Sequence, residues 1–402
     1  MLFTPHIPLD NKGEIKKTLL KKAENVALKD TELVPHFSNI TIEKIKNLLK
    51  ITNSYYSNII ESEGTKPIDI EEALKKDYDK TDKNYKLKKL AVRYVEIQDK
   101  IKEWIKNENP FTKEFILKLH NEFYSQDMEE FLEISHKNKT YTMIPGEIRK
   151  EDVQVGKHIA PKGEEIDYLL NTFDNLYKFN NHKKLLSEKI IYSVSAHHRL
   201  LWIHPFLDGN GRISRLLLDA YFYYIGLKGY GIWTVSRGLA IHQDIYKKYL
   251  AIADMEKENS FDGRGFLSLK SLEEYVEKML FIMEDQIDYM NGVLRLDKVL
   301  YRIEDFVDMT STEYLKSKLP NQTIHSLPFY AKQVLKELFI KGKLKRSDIV
   351  KLTNKSQRSV DYLMKQLKEM NLVIKQSKHS PFEINIPYYY AEIIFPGIGK
   401  YS

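Results

Sequence analysis

No cysteine occurs in the 402 residues. A disulfide framework, a thiol nucleophile and thiolate zinc sites are therefore excluded, and the composition is compatible with a reducing, cytoplasmic location. Long apolar runs are also missing. The most apolar stretch, Leu216 to Leu227, is short and broken by Asp219, so no membrane span is expected. The first residues, MLFTPHIPLDNK, lack a basic segment followed by an apolar one, and no secretory signal is expected. There is no internal repeat, no low-complexity segment and no Gly-x-x-x-x-Gly-Lys-Ser/Thr phosphate loop.

What is present fits a globular chain. Apolar residues make up 42% and charged residues 30%, ordinary for a soluble protein, and the length allows two to three structural units. The net charge of +7 is local: residues 332–378 hold 13 Lys or Arg against 4 Asp or Glu. The remainder is close to balance, so attraction to a polyanion is expected at the C-terminal end.

Apolar residues at three- and four-residue spacing predict helices over 12–27, 41–60, 68–82, 84–106, 112–126, 163–181 and 185–200. Further helices are expected over 212–225, 240–257, 268–290 and 294–307. Residues 139–161, with a Pro-Gly turn and short alternating segments, read as a β-hairpin. A boundary is expected over 308–328. Beyond it come helices at 329–340, 346–352 and 356–369, then strands at 372–376 and 382–386. That order matches a winged helix-turn-helix.

One loop gathers chemistry: IHPFLDGNGRISR, Ile203 to Arg215. Gly209, Asn210 and Gly211 precede a helix, where two glycines let backbone N–H groups converge into an anion nest. The helix adds its positive N-terminal end. Arg212 and Arg215 project near its first turn. Together these suit a polyphosphate. Asp208 offers an oxygen ligand for the Mg²⁺ that accompanies such phosphates. His204 is the group here able to act as a general base near neutrality.

The segment resembles the Fic family signature, His-Pro-Phe-x-Asp/Glu-Gly-Asn-Gly-Arg-x-x-Arg, at every defined position: His204, Pro205, Phe206, Asp208, Gly209, Asn210, Gly211, Arg212 and Arg215. His198-Arg199-Leu200, Trp233 to Leu239 and Phe261 to Gly265 resemble the flanks of bacterial members. The resemblance implies a mainly α fold: a Fic helical core with a β-hairpin flap, plus the C-terminal winged helix-turn-helix. The expected parts are an N-terminal helical region (1–110), the core (111–308), and a linker with the winged helix (309–402). The implied activity is transfer of AMP from Mg²⁺-ATP to a Tyr, Thr or Ser hydroxyl of a target protein. His204 would take the hydroxyl proton and Asp208 would hold Mg²⁺. Gly209, Asn210, Gly211 and Arg212 would hold the phosphates, Arg215 would meet the γ-phosphate, and Phe206 would pack under the loop. In the flap, Gly146, Arg149, Val155 and Gly156 fall where the family aligns an extended target segment.

Residues 57–62, Ser57-Asn58-Ile59-Ile60-Glu61-Ser62, resemble the self-inhibiting pattern Ser/Thr-x-x-x-Glu-Gly/Asn, with Ser62 departing from Gly or Asn. The resemblance implies that Glu61 pairs with Arg215 and occupies the γ-phosphate position; Glu63 is a second candidate. Other readings stand beside this one. The same scaffold serves de-AMPylation, or transfer from another nucleotide or phosphate donor. A DNA-binding regulator with a nucleotide-sensing core is a third reading, because Arg358, Lys365 and Lys368 lie on the expected recognition helix. Family members often self-associate, which allows a homodimer. Tyr221 and Tyr224 are candidate neighbours of the base, and the Tyr388-Tyr389-Tyr390 run is expected to be exposed.

Overall fold

Helices carry most of the chain in the computed structural model, which describes residues 3–33, 36–62, 64–75, 83–125, 127–136, 139–179, 183–377 and 379–399. In chain order they begin with α1 (Lys17–Glu32), α2 (Asn39–Ile60), α3 (Pro67–Lys75), α4 (Tyr85–Trp104) and α5 (Lys113–Tyr124). Four short strands follow: β1 (Glu133–His136), β2 (Lys139–Thr142), β3 (Gln154–Val155) and β4 (His158–Ile159). Then come α6 (Ile166–Tyr177), α7 (Leu186–Ile203), α8 (Asn210–Ile225), α9 (Val235–Ile241), α10 (Gln243–Ala253), α11 (Leu269–Val293), α12 (Leu296–Met309) and α13 (Glu313–Lys318). The chain finishes with α14 (Ala331–Lys341), β5 (Lys343–Leu344), α15 (Arg346–Thr353), α16 (Gln357–Glu369), β6 (Val373–Ile374), β7 (Phe382–Ile384) and α17 (Tyr388–Ile394).

Helix α8 is the central rod. It is apolar nearly all round and buries Leu216, Leu217, Leu218, Ala220, Tyr221 and Phe222, as a helix enclosed on every side must. It packs against α7, α4, α5 and α2. The apolar stretch Leu216 to Leu227 is thus mostly an enclosed core helix, and no helix among the described residues is long and apolar enough to cross a membrane. Buried apolar side chains form one connected core from Phe3 to Ile398.

Helix α2 is about 33 Å long at 1.5 Å per residue. Ser38 caps its start, its Oγ accepting from the Thr41 N–H at 3.2 Å. The same end docks on the last turn of α14: Ser38 N–H donates to the Ile340 carbonyl at 2.9 Å and Thr41 Oγ1 to the Phe339 carbonyl at 2.8 Å. Lys44 pairs with Glu383 of β7 at 3.0 Å. At the far end Glu61 is the C-cap, and Ser62 follows at φ +64°.

Several expectations are corrected. Residues 139–161 are not one hairpin. β2 pairs antiparallel with β1, Glu133 opposite Thr142, while β3 and β4 form a second, two-residue hairpin. The Pro-Gly turn lies between the two hairpins rather than within one. Helix α13 interrupts the stretch expected to be only a boundary. The expected C-terminal helices and strands appear, but the sheet has a third strand and runs β5–β7–β6. β5 is two residues long, and only its pairing with β7 makes it a strand. Tyr388 and Tyr390 are buried on α17 rather than exposed, because this short helix packs on α3 and α12. The expected helix over 68–82 ends in residues outside those described.

Candidate active site

The geometry starts at the end of α7. His204 is its C-cap at φ +50°, ψ +63°, a left-handed conformation that costs a non-glycine residue about 1–2 kcal/mol. The chain then reverses through Pro205 and Phe206. Phe206 is buried and stacks on His120, ring centroids 3.8 Å apart and planes 15° from parallel. Asn210 clamps the reversal: its Oδ1 accepts from the Phe206 N–H at 3.0 Å and its Nδ2 donates to the Phe206 carbonyl at 2.8 Å. Gly209 caps α8 at φ +81°, and a β-carbon there would land in the Tyr124 ring. Only glycine satisfies both demands. Beside it, Asp208 Oδ2 lies 3.2 Å from Arg212 and 3.4 Å from the Tyr124 hydroxyl.

Helix α2 closes the site from above. Arg215 is buried. Its Nε donates to Ser57 Oγ at 2.8 Å. Its Nη2 donates to the Ser57 carbonyl at 3.1 Å and to Glu61 Oε1 at 2.7 Å. The Glu61 carboxylate also covers Gly211, where any β-carbon would collide with it. Burial acts to raise the proton affinity of Glu61, but Arg215 and Arg212 outweigh it and hold the carboxyl below its ordinary range. Glu61 is therefore ionised at neutral pH, and its partial exposure favours the same form.

His204 is held neutral. Burial lowers its pKa to about 4, and the charge of Arg149 and the neighbouring His158 act in the same direction. The Leu201 carbonyl and Asp208 oppose them.

A family model described as Fic/DOC family matches residues 110–222. Residues 110–222 thus form a Fic/DOC family domain. Protein adenylyltransferase Fic of Aedes aegypti is 38% identical over 109 residues, 27% of this chain and 20% of that protein. Its counterpart in Drosophila melanogaster is 39% identical over 74 residues, 18% of this chain and 15% of that protein. The chain thus spans about a fifth of the length of the curated relatives it matches. A Fic family protein from Desulfovibrio desulfuricans shares the fold over 94% of this chain and 98% of its own, with a TM-score of 0.51 at 13% identity. A Fic domain-containing signaling protein from Bacteroides thetaiotaomicron does so over 68% of this chain and 97% of its own, with a TM-score of 0.52 at 19% identity.

Within this Fic site the fold brings together His204, Phe206, Asp208, Gly209, Asn210, Gly211, Arg212 and Arg215, with Ser57 and Glu61 against them. Glu63 lies outside the described residues. Asn210 is spent on bracing the loop backbone. Gly146, of the expected flap, donates its N–H to His120 Nδ1 at 2.9 Å, and Arg149 is turned inward onto the loop rather than outward. Val155 and Gly156 sit at the exposed tip of the β3–β4 hairpin. Tyr221 does not face a ligand; it stacks on Phe111 at 4.0 Å in the core. Sequence reading missed His120 and Tyr124, which floor the loop. A single histidine on an amphipathic helix carries no pattern that marks it.

Proposed function

We propose that this chain is a self-inhibited protein adenylyltransferase, transferring AMP from ATP to a Tyr, Thr or Ser hydroxyl of a target protein. The carrying observation is the Glu61 carboxylate, held by Arg215 at 2.7 Å directly over the glycine nest at the start of α8. An anion already sits where a terminal phosphate would, on the nest and guanidinium best suited to receive one. In this reading Gly209 and Gly211 present backbone N–H groups to the phosphates, Arg212 neutralises them, and Arg215 takes the γ-phosphate once Glu61 leaves. His204 accepts the proton of the attacking hydroxyl. Its neutral imidazole is ready to do so, and phosphates on the nest would offset the charge of Arg149 and raise its basicity toward neutrality.

Asp208 fits Mg²⁺. It sets a partly exposed carboxylate beside the nest, and Mg²⁺ binds through one or two carboxylates plus substrate phosphate oxygens. When bound, the ion supplies charge neutralisation at the phosphates. In this reading the chain divides by role at 110 and 308. The order and pairing of α14 to β7 support reading this region as a winged helix, with Arg358, Tyr362 and Lys365 exposed on α16 as the face for a nucleic-acid phosphate backbone.

The test is label transfer from α-³²P-ATP with Mg²⁺ to the chain and to lysate proteins. Glu61→Gly is expected to label strongly, wild type weakly, and Glu61→Gly with His204→Ala not at all. Equal labelling of wild type and Glu61→Gly removes Glu61 as inhibitor. No label in any variant overturns the transferase reading in favour of another donor or the reverse reaction.

A further inference from the structure

The β3–β4 hairpin leaves the core at Arg149 and returns at Pro161. Its stems are pressed together: a β-carbon on Gly163 would land in the Lys150 carbonyl group, and the Gly163 N–H donates to Asp152 Oδ1 at 3.1 Å. The Arg149 side chain lies inside this junction, only 2% exposed. Among the described residues no carboxylate forms an ion pair with it. A buried, unpaired cation is costly unless its donors are all used. Here they go to backbone carbonyls. Nε donates to His204 at 2.7 Å, Nη1 to Glu151 at 2.5 Å, and Nη2 to Pro161 at 2.7 Å and to Ile203 at 3.4 Å. The Arg149 backbone N–H adds a bond to the Pro205 carbonyl at 2.9 Å. A second tie runs from the hairpin, His158 Nε2 to the Trp202 carbonyl at 2.9 Å.

We propose that Arg149 is a positioning residue: its guanidinium fixes the left-handed turn at His204 to both stems of the β3–β4 hairpin, so that base and hairpin move as one piece. The inference rests on the transferase reading for its meaning. A target strand laid along the hairpin then presents its hydroxyl at a set distance from His204, and the left-handed His204 backbone is held through its carbonyl, which accepts from Arg149 Nε. A planar fork is needed because four acceptors lie around it. Lysine keeps the charge and loses the fork.

The charge has its own consequence. The charged or titratable groups facing His204 are Arg149, His158 and Asp208. Removing the Arg149 charge favours the protonated imidazole, so the acid limb of the pH–rate profile moves to higher pH.

The experiment uses the full chain carrying Glu61→Gly as parent, with Arg149→Lys, Arg149→Gln and His158→Gln added singly. Self-labelling from α-³²P-ATP is followed over pH, with ATP affinity and backbone hydrogen exchange measured alongside. Arg149→Lys is expected to lower kcat about 10- to 100-fold, the effect of a small misplacement of a catalytic group, with ATP affinity and the acid limb little changed. Arg149→Gln is expected to lower kcat as far and to move the acid limb upward. In both, exchange should rise together over residues 150–162 and 203–206. Full kcat in Arg149→Lys, or faster exchange in the hairpin alone, overturns the proposal. If Arg149→Gln does not fold, Arg149→Lys carries the test. If the Glu61→Gly parent gives no label, the transferase reading has failed, and the joint or separate exchange of the two segments still decides whether Arg149 couples them.

Discussion

At the scale of single residues, the motif was legible because its chemistry demands particular side chains. Glycine at 209 is forced by a positive φ and by the Tyr124 ring, and arginine at 215 by three acceptors on α2. What could not be read was the division of labour among neighbours. Asn210 reads as part of the nest yet holds the loop backbone, and Arg149 reads as a flap residue yet faces inward. Asp219, one turn beyond Arg215, shows the same limit. It interrupts an apolar stretch, and in the fold its Oδ2 accepts from Asn53 of α2 at 2.9 Å while Tyr230 donates to Oδ1. Burial raises its pKa from 3.8 to about 7. Folding therefore takes up a proton between those values. The contribution is fully present below pH 4 and is lost as pH rises through 7. Asp219→Asn should flatten this part of the curve: its melting temperature relative to wild type should rise between pH 5 and pH 8. Parallel melting curves would remove Asp219 as the source.

Helices were the most legible elements, since their apolar spacing runs over many residues. Strands of two residues were not, because β5 exists only through its pairing with β7. The position of α2 was readable, but its role as a strut between α14 and Arg215 was not; no local pattern links Thr41 to Phe339 almost 300 positions away. Thr41→Val removes the hydroxyl and leaves the Phe339 carbonyl without that donor, at a cost of about 1–3 kcal/mol. Helix α2 should loosen at its start, and label transfer should fall between wild type and Glu61→Gly. Transfer equal to wild type, with faster exchange limited to residues 331–344, would show that the strut ends before Glu61.

Across the whole molecule, burial decides the response to acid. His6, His120 and His204 are held to pKa values of about 4, and His197 to about 3, in each case chiefly by burial. In the unfolded chain each takes a proton near the ordinary histidine value of 6.5. The stability they contribute is present above 6.5 and drains as pH falls toward 4, against the smaller opposite effect of Asp219. The melting temperature should drop steadily from pH 7 to pH 5, and a flat profile would contradict the neutral burial of these four rings. Finally, the docking of α14 and β7 on the start of α2 sets an order in time. Phe339 and Glu383 are synthesised well after Arg215, and at roughly 5–20 residues per second the gap is on the order of ten seconds. A growing chain on the ribosome therefore holds both Glu61 and Arg215 before it has made the segment that steadies the helix between them.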